Sequence, residues 1–391
     1  MPHNGTPAGP SKPPFLEFVA LIALMMGMTA FSIDNLLPAF GAIRTDFALD
    51  DPNGVQMLVY AYLIGIAVAQ IVYGTISDVV GRRPALLVGL AIYAVGCLIA
   101  LVTDDFALLI VARVVQGVGA SAGRVMAVAI VRDRFEGREM ARIMSLVMMV
   151  FLTVPIVAPA LGSLILVFGS WHLIFVAMLA LGVAAAIWFA LRMPETLHPE
   201  YRVPFSMRAI GAGMVMTVTN RRAFGYATGM GLMMGALMAY VGSASQVFDT
   251  DIYKLGHLFP VVFAGVAAIM AAASFLNASL VRRLGMRRLS HGGVIGFVVV
   301  SLAMVAAAQF LFALTVPNFN STAMEPLGAV AGTASSFIGF YTTLMAALIA
   351  LFVGHAFDGT VLPISLGYAG LGILALLAVL WAEKGRLFHH A

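Results

Sequence analysis

Long apolar runs alternate with short polar connections along the whole chain. Apolar segments of about 20 residues are long enough to cross the hydrocarbon layer of a bilayer as helices. The pattern predicts spans at 16–41, 55–76, 84–103, 106–129, 142–168, 171–192, 223–248, 258–280, 289–307, 308–326, 331–355 and 361–382. Residues 289–326 must hold two of them with almost no turn between, so the ninth and tenth helices are expected to be short or tilted. Residues 1–15, rich in Pro and Gly, read as a disordered tail. The run from Phe15 to Phe40 is too long for the apolar part of a cleaved signal and has no convincing cleavage site, so it reads as a retained first helix.

Composition agrees with the pattern. The 391 residues are 61% hydrophobic and 10% charged, with a mean hydropathy of +1.00, whereas soluble domains carry about a quarter charged residues. No soluble fold hides that much apolar surface, so lipid is the expected solvent. The single cysteine, Cys97, lies inside an apolar run, which excludes a disulfide framework and a cysteine metal site.

The arginines orient the spans. Sixteen of nineteen fall in alternate connections or the C-terminal tail: Arg82, Arg83, Arg132, Arg134, Arg138, Arg142, Arg192, Arg202, Arg208, Arg221, Arg222, Arg282, Arg283, Arg287, Arg288 and Arg386. The opposite connections hold Arg44 and the acids Asp46, Asp50, Asp51, Asp104, Asp105, Asp249, Asp251 and Asp358. Excess arginine marks the cytoplasmic side, so both termini are expected inside and the span count even; eleven spans would leave Lys384 and Arg386 outside. The sequence pI near 9.3 is therefore a topology signal, because a nucleic-acid face needs its cations on one folded surface. The longest hydrophilic stretch, 193–222, reads as a cytoplasmic linker between an N-terminal bundle at 16–192 and a C-terminal one at 223–382, with a tail at 383–391. Asp78–Arg83 after the second span is echoed by Arg282–Arg288 after the eighth. Repeats of this kind place a transporter's substrate site near the midplane, between the halves.

Gly74-Thr-Ile-Ser-Asp78-Val-Val-Gly81-Arg82-Arg83, between the second and third spans, resembles the loop signature G-x-L-x-D-x-x-G-R-[RK] of the major facilitator superfamily. The resemblance implies an all-α membrane protein of twelve transmembrane helices in two six-helix bundles. It also implies that Asp78 engages the start of the eleventh helix and that the basic residues tie the helices on the cytoplasmic face. Arg113-Val-Val-Gln116-Gly117-Val-Gly119-Ala120 resembles the fourth-helix motif of proton-coupled members. Pro155-Ile-Val-Ala158-Pro159-Ala-Leu-Gly162-Ser163 resembles the fifth-helix antiporter motif, departing from it at Ala158 and Ser163 where the family prefers glycine. Val131-Arg-Asp133-Arg134-Phe135, Met193-Pro-Glu195-Thr-Leu197 and Ala331-Gly-Thr-Ala-Ser-Ser336 are similar to stretches of the Bcr/CflA drug exporters. That likeness implies a bacterial inner-membrane, proton-driven exporter of lipophilic drugs, working as a monomer with protons as coupling ion and no cofactor.

Ionisable residues at membrane depth are expensive and usually functional. Asp34 and Arg113 each lie about seven residues from the outer end of their helices, which places them at a common depth. Burial favours the neutral acid and a nearby cation the charged one, so an acid between those pulls suits coupling. A plainer reading has Asp34 capping a break before Pro38. Arg124, three turns beyond Arg113, either lines the inner half of the same pathway or snorkels to the interface. Glu325 reads as interfacial. Gln116, Tyr60, Tyr62, Gln70, Tyr240, Ser243, Gln246, Asn318, Asn320, Tyr341 and Thr342 are polar candidates for the cavity. Pro155 and Pro159 are expected to bend the fifth helix. Two rival readings are a proton-coupled symporter importing a metabolite and a membrane-embedded receptor or enzyme. The second finds little support, since the eight histidines include no helix-spaced pair and no Walker loop is present.

Overall fold

The computed structural model describes residues 13–388 apart from 52, 136, 198–199, 201–205, 251–252, 302–304 and 357–361. Most of the expected N-terminal tail, with Arg202, Asp251, Asp358, His389 and His390, lies outside these. The described residues are helical almost throughout, as a chain in lipid must be: with no water to bond exposed N–H and C=O groups, each segment has to satisfy its own backbone.

The helices are α1 (Phe15–Asp34), α2 (Phe40–Asp46), α3 (Met57–Val80), α4 (Arg82–Val102), α5 (Phe106–Arg134), α6 (Gly137–Phe168), α7 (His172–Arg192), α8 (Met207–Thr219), α9 (Arg221–Ser245), α10 (Phe259–Leu284), α11 (Met286–Ser301), α12 (Val305–Met324), α13 (Ala331–His355) and α14 (Leu362–Ala382). Ten membrane-length apolar spans are found among the described residues, with α1 and α2 joined in the first. After α10, α11 packs on α12, and residues 302–304 between them lie outside the described set. Inside the hydrophilic stretch, α8 lies against α13, and a Cβ at Gly213 would stand 2.6 Å from Thr333.

Two details of local geometry fix the arrangement. Gly81 (φ +104°) and Gly285 (φ +78°) end α3 and α10 in the region that favours glycine. They occupy the same place in the two halves, which gives the sequence echo a backbone basis. Close packing inside the first half rests on glycine as well: a Cβ at Gly117 would lie 2.1 Å from the Tyr62 carbonyl oxygen, and one at Gly65 2.2 Å from that of Val114. Helices α3 and α5 therefore touch backbone to backbone. Helix α6 continues through Pro155 and Pro159.

Candidate functional site

The first helix ends at the first ionisable group it carries into the interior. After Asp34 the chain turns through Asn35 and Leu36, makes a short 3-10 segment at Leu37–Ala39 around Pro38, and restarts as α2. The break expected before Pro38 is present, and Asp34 sits on it. Asp34 is 5% exposed, and among the described residues nothing donates a hydrogen bond or forms an ion pair to its carboxylate. Tyr240, on α9 of the other half, lies within electrostatic reach of it. The hydroxyls of Tyr240 and Ser243 and both polar atoms of Asn35 are buried without hydrogen-bond partners. Asn35 itself presses on the fifth-helix motif, where a Cβ at Gly162 would fall 2.2 Å from its carbonyl oxygen. Broken helices whose freed polar groups meet at a seam are how transporters build midplane sites.

Arg113 corrects an expectation. Its guanidinium is fully enclosed, donating to the carbonyls of Leu58 and Ser32, both at 3.0 Å, and to the Gln116 Oε1. It also stacks 4.3 Å from the Tyr62 ring centroid. There is no Asp34–Arg113 pair. Carbonyls inside the bundle meet the guanidinium fork directly, so the arginine binds α1 to α3 and α5. Gln116, donating to Cys97 Sγ at 3.0 Å, and Tyr62, donating to the Thr29 carbonyl at 3.3 Å, belong to the same interior rather than to a cavity. Asn318 likewise stays inside the second half, donating to Asn277 at 2.6 Å. Asn320 is exposed, and Thr342 donates to its own helix at Ile338.

Other candidates stand on the seam between the halves. Gln70 accepts from Thr343 at 3.4 Å, and a Cβ at Gly339 would lie 2.5 Å from its amide nitrogen. Tyr60 reaches across to Gly354 and Gly242 while donating to Gln56 at 2.6 Å. Gln246, where α9 passes into a π-turn, bonds Gln56 and donates to Asn53 at 2.9 Å. Asn53 in turn donates to the His355 carbonyl at 3.3 Å. This carboxamide cluster joins the halves at the acidic end of the molecule. Tyr341 meets Thr228 at 3.1 Å inside the second half. Neither Gln56 nor Asn53 is legible as a seam residue from sequence, since their partners lie 190 and 302 residues away along the chain.

The loop signature forms a second polar site, at the arginine-rich end. Arg82 donates to Asp78 at 2.5 Å, Ser77 at 2.6 Å and Asp133 at 2.9 Å. Arg83 donates to the Ala190 carbonyl at 2.6 Å, tying α4 to α7. Glu195, whose role is not legible from its sequence neighbours, accepts from the backbone N–H groups of Arg82 at 2.9 Å and Arg83 at 3.1 Å. A carboxylate at that point complements the start of α4. Asp78 is held by Arg82 rather than by α13. The signature meets α13 through Gly74 instead, where a Cβ would stand 2.4 Å from Ser336 Oγ. In the second half, Tyr226, His291 and Glu383 are linked at 2.7 and 3.0 Å, with Arg287 between Glu383 and Glu325. No cluster of histidine, cysteine and acid suited to a metal is found among the described residues.

The family model of the Major Facilitator Superfamily matches residues 20–350. An uncharacterised MFS-type transporter, YdgK of Bacillus subtilis, is 31% identical over 361 residues, covering 85% of this chain and 88% of that protein. A bicyclomycin resistance protein homologue of Haemophilus influenzae is 25% identical over 381 residues, covering 92% and 94%. Multidrug resistance protein D of Escherichia coli is 27% identical over 337 residues, covering 83% and 85%. Among solved structures, the human organic anion transporter MFSD10 superposes with a TM-score of 0.69 at 17% identity, covering 95% of this chain and all of that one. A D-xylose–proton symporter superposes with a TM-score of 0.68 at 14% identity, covering 96% and 100%. At these identities the structural likeness concerns the fold alone.

Proposed function

Because the chain belongs to the major facilitator superfamily, we propose that it is a proton-driven exporter of small lipophilic compounds, with Asp34 as the coupling carboxylate. Relatives named for bicyclomycin and multidrug resistance support export of drug-like compounds. The observation that carries the coupling role is the isolation of Asp34: a buried acid on a helix break, without a protein cation, facing Tyr240 across the seam. An acid in that setting changes charge only when its surroundings change, which is what coupling requires.

In this reading the arginine-rich end is cytoplasmic and the two six-helix halves rock about the central site as a monomer. Asp34 takes a proton from outside, and the neutral acid favours the inward-facing form. Substrate entering beside it displaces the proton, and the loaded carrier reopens outward. The substrate biases this equilibrium only through unequal affinity for the two forms. The Gln56–Gln246–Asn53 cluster closes the outer end, and the Arg82 network holds the inner end of the first half.

The test is substrate-induced proton release. Purified carrier in weakly buffered detergent solution is mixed with a lipophilic resistance substrate, and the pH is followed with an indicator dye. Wild type is expected to release protons on binding, and Asp34→Asn to release none. Release of equal size from the Asp34→Asn variant would remove Asp34 from the mechanism, and uptake in place of release would favour the importing symporter.

A further inference from the structure

We infer that the carried molecule bears an anionic group, a carboxylate or sulfonate, and that Arg124 binds it near the midplane. This rests on the exporter reading and adds the substrate's charge to it.

Arginine stays protonated and presents five N–H donors, so a guanidinium enclosed at membrane depth demands acceptors. Its neighbours in the first half have them. Arg113 has two carbonyls, Gln116 and the Tyr62 ring; Arg82 has Ser77, Asp78 and Asp133; Arg134 lies over Phe18. Arg124 is surrounded by protein yet partly reached by solvent, and it has no hydrogen bond or ion pair among the described residues. A cation in that position is an unfilled half of a recognition pair.

Three observations place its charge in the interior rather than at the interface. Helical side chains lean toward their own N-terminus, and α5 begins at the acidic end with Asp105 as its cap. The guanidinium of Arg124 therefore tilts away from the arginine-rich end and toward the midplane. Second, it lies within electrostatic reach of Tyr62, the residue that also stacks on Arg113. Third, Ser121, one turn earlier on the same face, is fully buried with its hydroxyl unpartnered. A guanidinium fork is matched to a small oxyanion.

Four acids toward the arginine-rich end of the first half are engaged by other groups. Arg82 holds Asp78 and Asp133, Arg192 holds Glu17, and backbone N–H groups hold Glu195. Asp34, the acid at membrane depth, sits on the seam with Tyr240. Two charges of opposite sign thus stand apart in the pathway, one for the proton and one for the substrate anion.

The test compares two dyes, anionic carboxyfluorescein and cationic rhodamine 6G, in phosphatidylcholine vesicles carrying the full chain under an imposed pH gradient. Wild type is expected to move carboxyfluorescein. Arg124→Gln is expected to lower the carboxyfluorescein-to-rhodamine ratio by about tenfold or more, the size of a lost charge-assisted hydrogen bond. Arg124→Lys, which keeps the charge, should restore much of the ratio, and Arg208→Gln, an exposed position on α8, should leave it unchanged. Wild type that moves rhodamine but not carboxyfluorescein overturns the inference while the exporter reading stands. So does an Arg124→Gln protein with the wild-type ratio. Movement of neither dye overturns the exporter reading and this inference together.

Discussion

Arg113 shows how far a residue's surroundings can depart from what its motif suggests. Depth and motif place it in the pathway, yet each of its three guanidinium nitrogens donates within one bundle. A lysine there keeps the charge but cannot span three acceptors in a planar fork. Arg113→Lys is therefore expected to leave buried carbonyls unpaired and cost about 1–3 kcal/mol, visible as a lower thermal midpoint of the purified protein. A variant that loses transport with an unchanged midpoint would return Arg113 to the pathway. Gly162 makes a second residue-scale prediction. Valine there drives a Cβ into the Asn35 carbonyl oxygen, 2.2 Å away, and should push the end of α1 off α6. Lost stability of about 1–3 kcal/mol is expected, together with reduced proton release on substrate binding. Unaltered behaviour on both counts would show that the α1 break tolerates displacement.

At the scale of elements, the helices themselves were legible because lipid leaves so little choice. An apolar run of the right length has one way to satisfy its backbone. The helix over the expected ninth span begins at Met286, a few residues earlier than the apolar pattern places it, since a continuous apolar stretch carries no punctuation of its own. The way the helices are tied together was less legible. The loop signature pointed to Asp78 and the start of α13, but Asp78 turned back to Arg82, one turn away on the chain. Glu195 reaches α4 from 113 residues downstream, and only the fold brings them together. Removing its charge tests that tie. Glu195→Gln should weaken the cap on α4 by about 1 kcal/mol and raise protease cleavage near residues 78–83, and an unchanged digestion pattern would show the cap to be dispensable.

Across the whole molecule, the contacts between the expected halves are not legible in the sequence. Pairs such as Gln56 with Gln246 and Gln70 with Thr343 join residues far apart in the chain. No periodicity announces them. If the halves rock, the outer cluster must open in every cycle. Cysteines at Gln56 and Gln246, with Cys97→Ser to remove the buried thiol, should cross-link and stop transport, and reduction should restore it. Full transport by the cross-linked carrier would mean that this end does not open.

The central claim is that a proton moving through Asp34 drives export, and vesicle transport tests it most directly. Carrier reconstituted into proteoliposomes is given a lipophilic fluorescent substrate and an imposed pH gradient, and flux is compared between wild type and Asp34→Asn. The account predicts that the gradient drives substrate against the proton flow in wild type. In Asp34→Asn that uphill movement falls to background, while downhill exchange of substrate persists. Uphill transport by the variant at the wild-type rate, or a wild-type flux indifferent to the gradient, would contradict it.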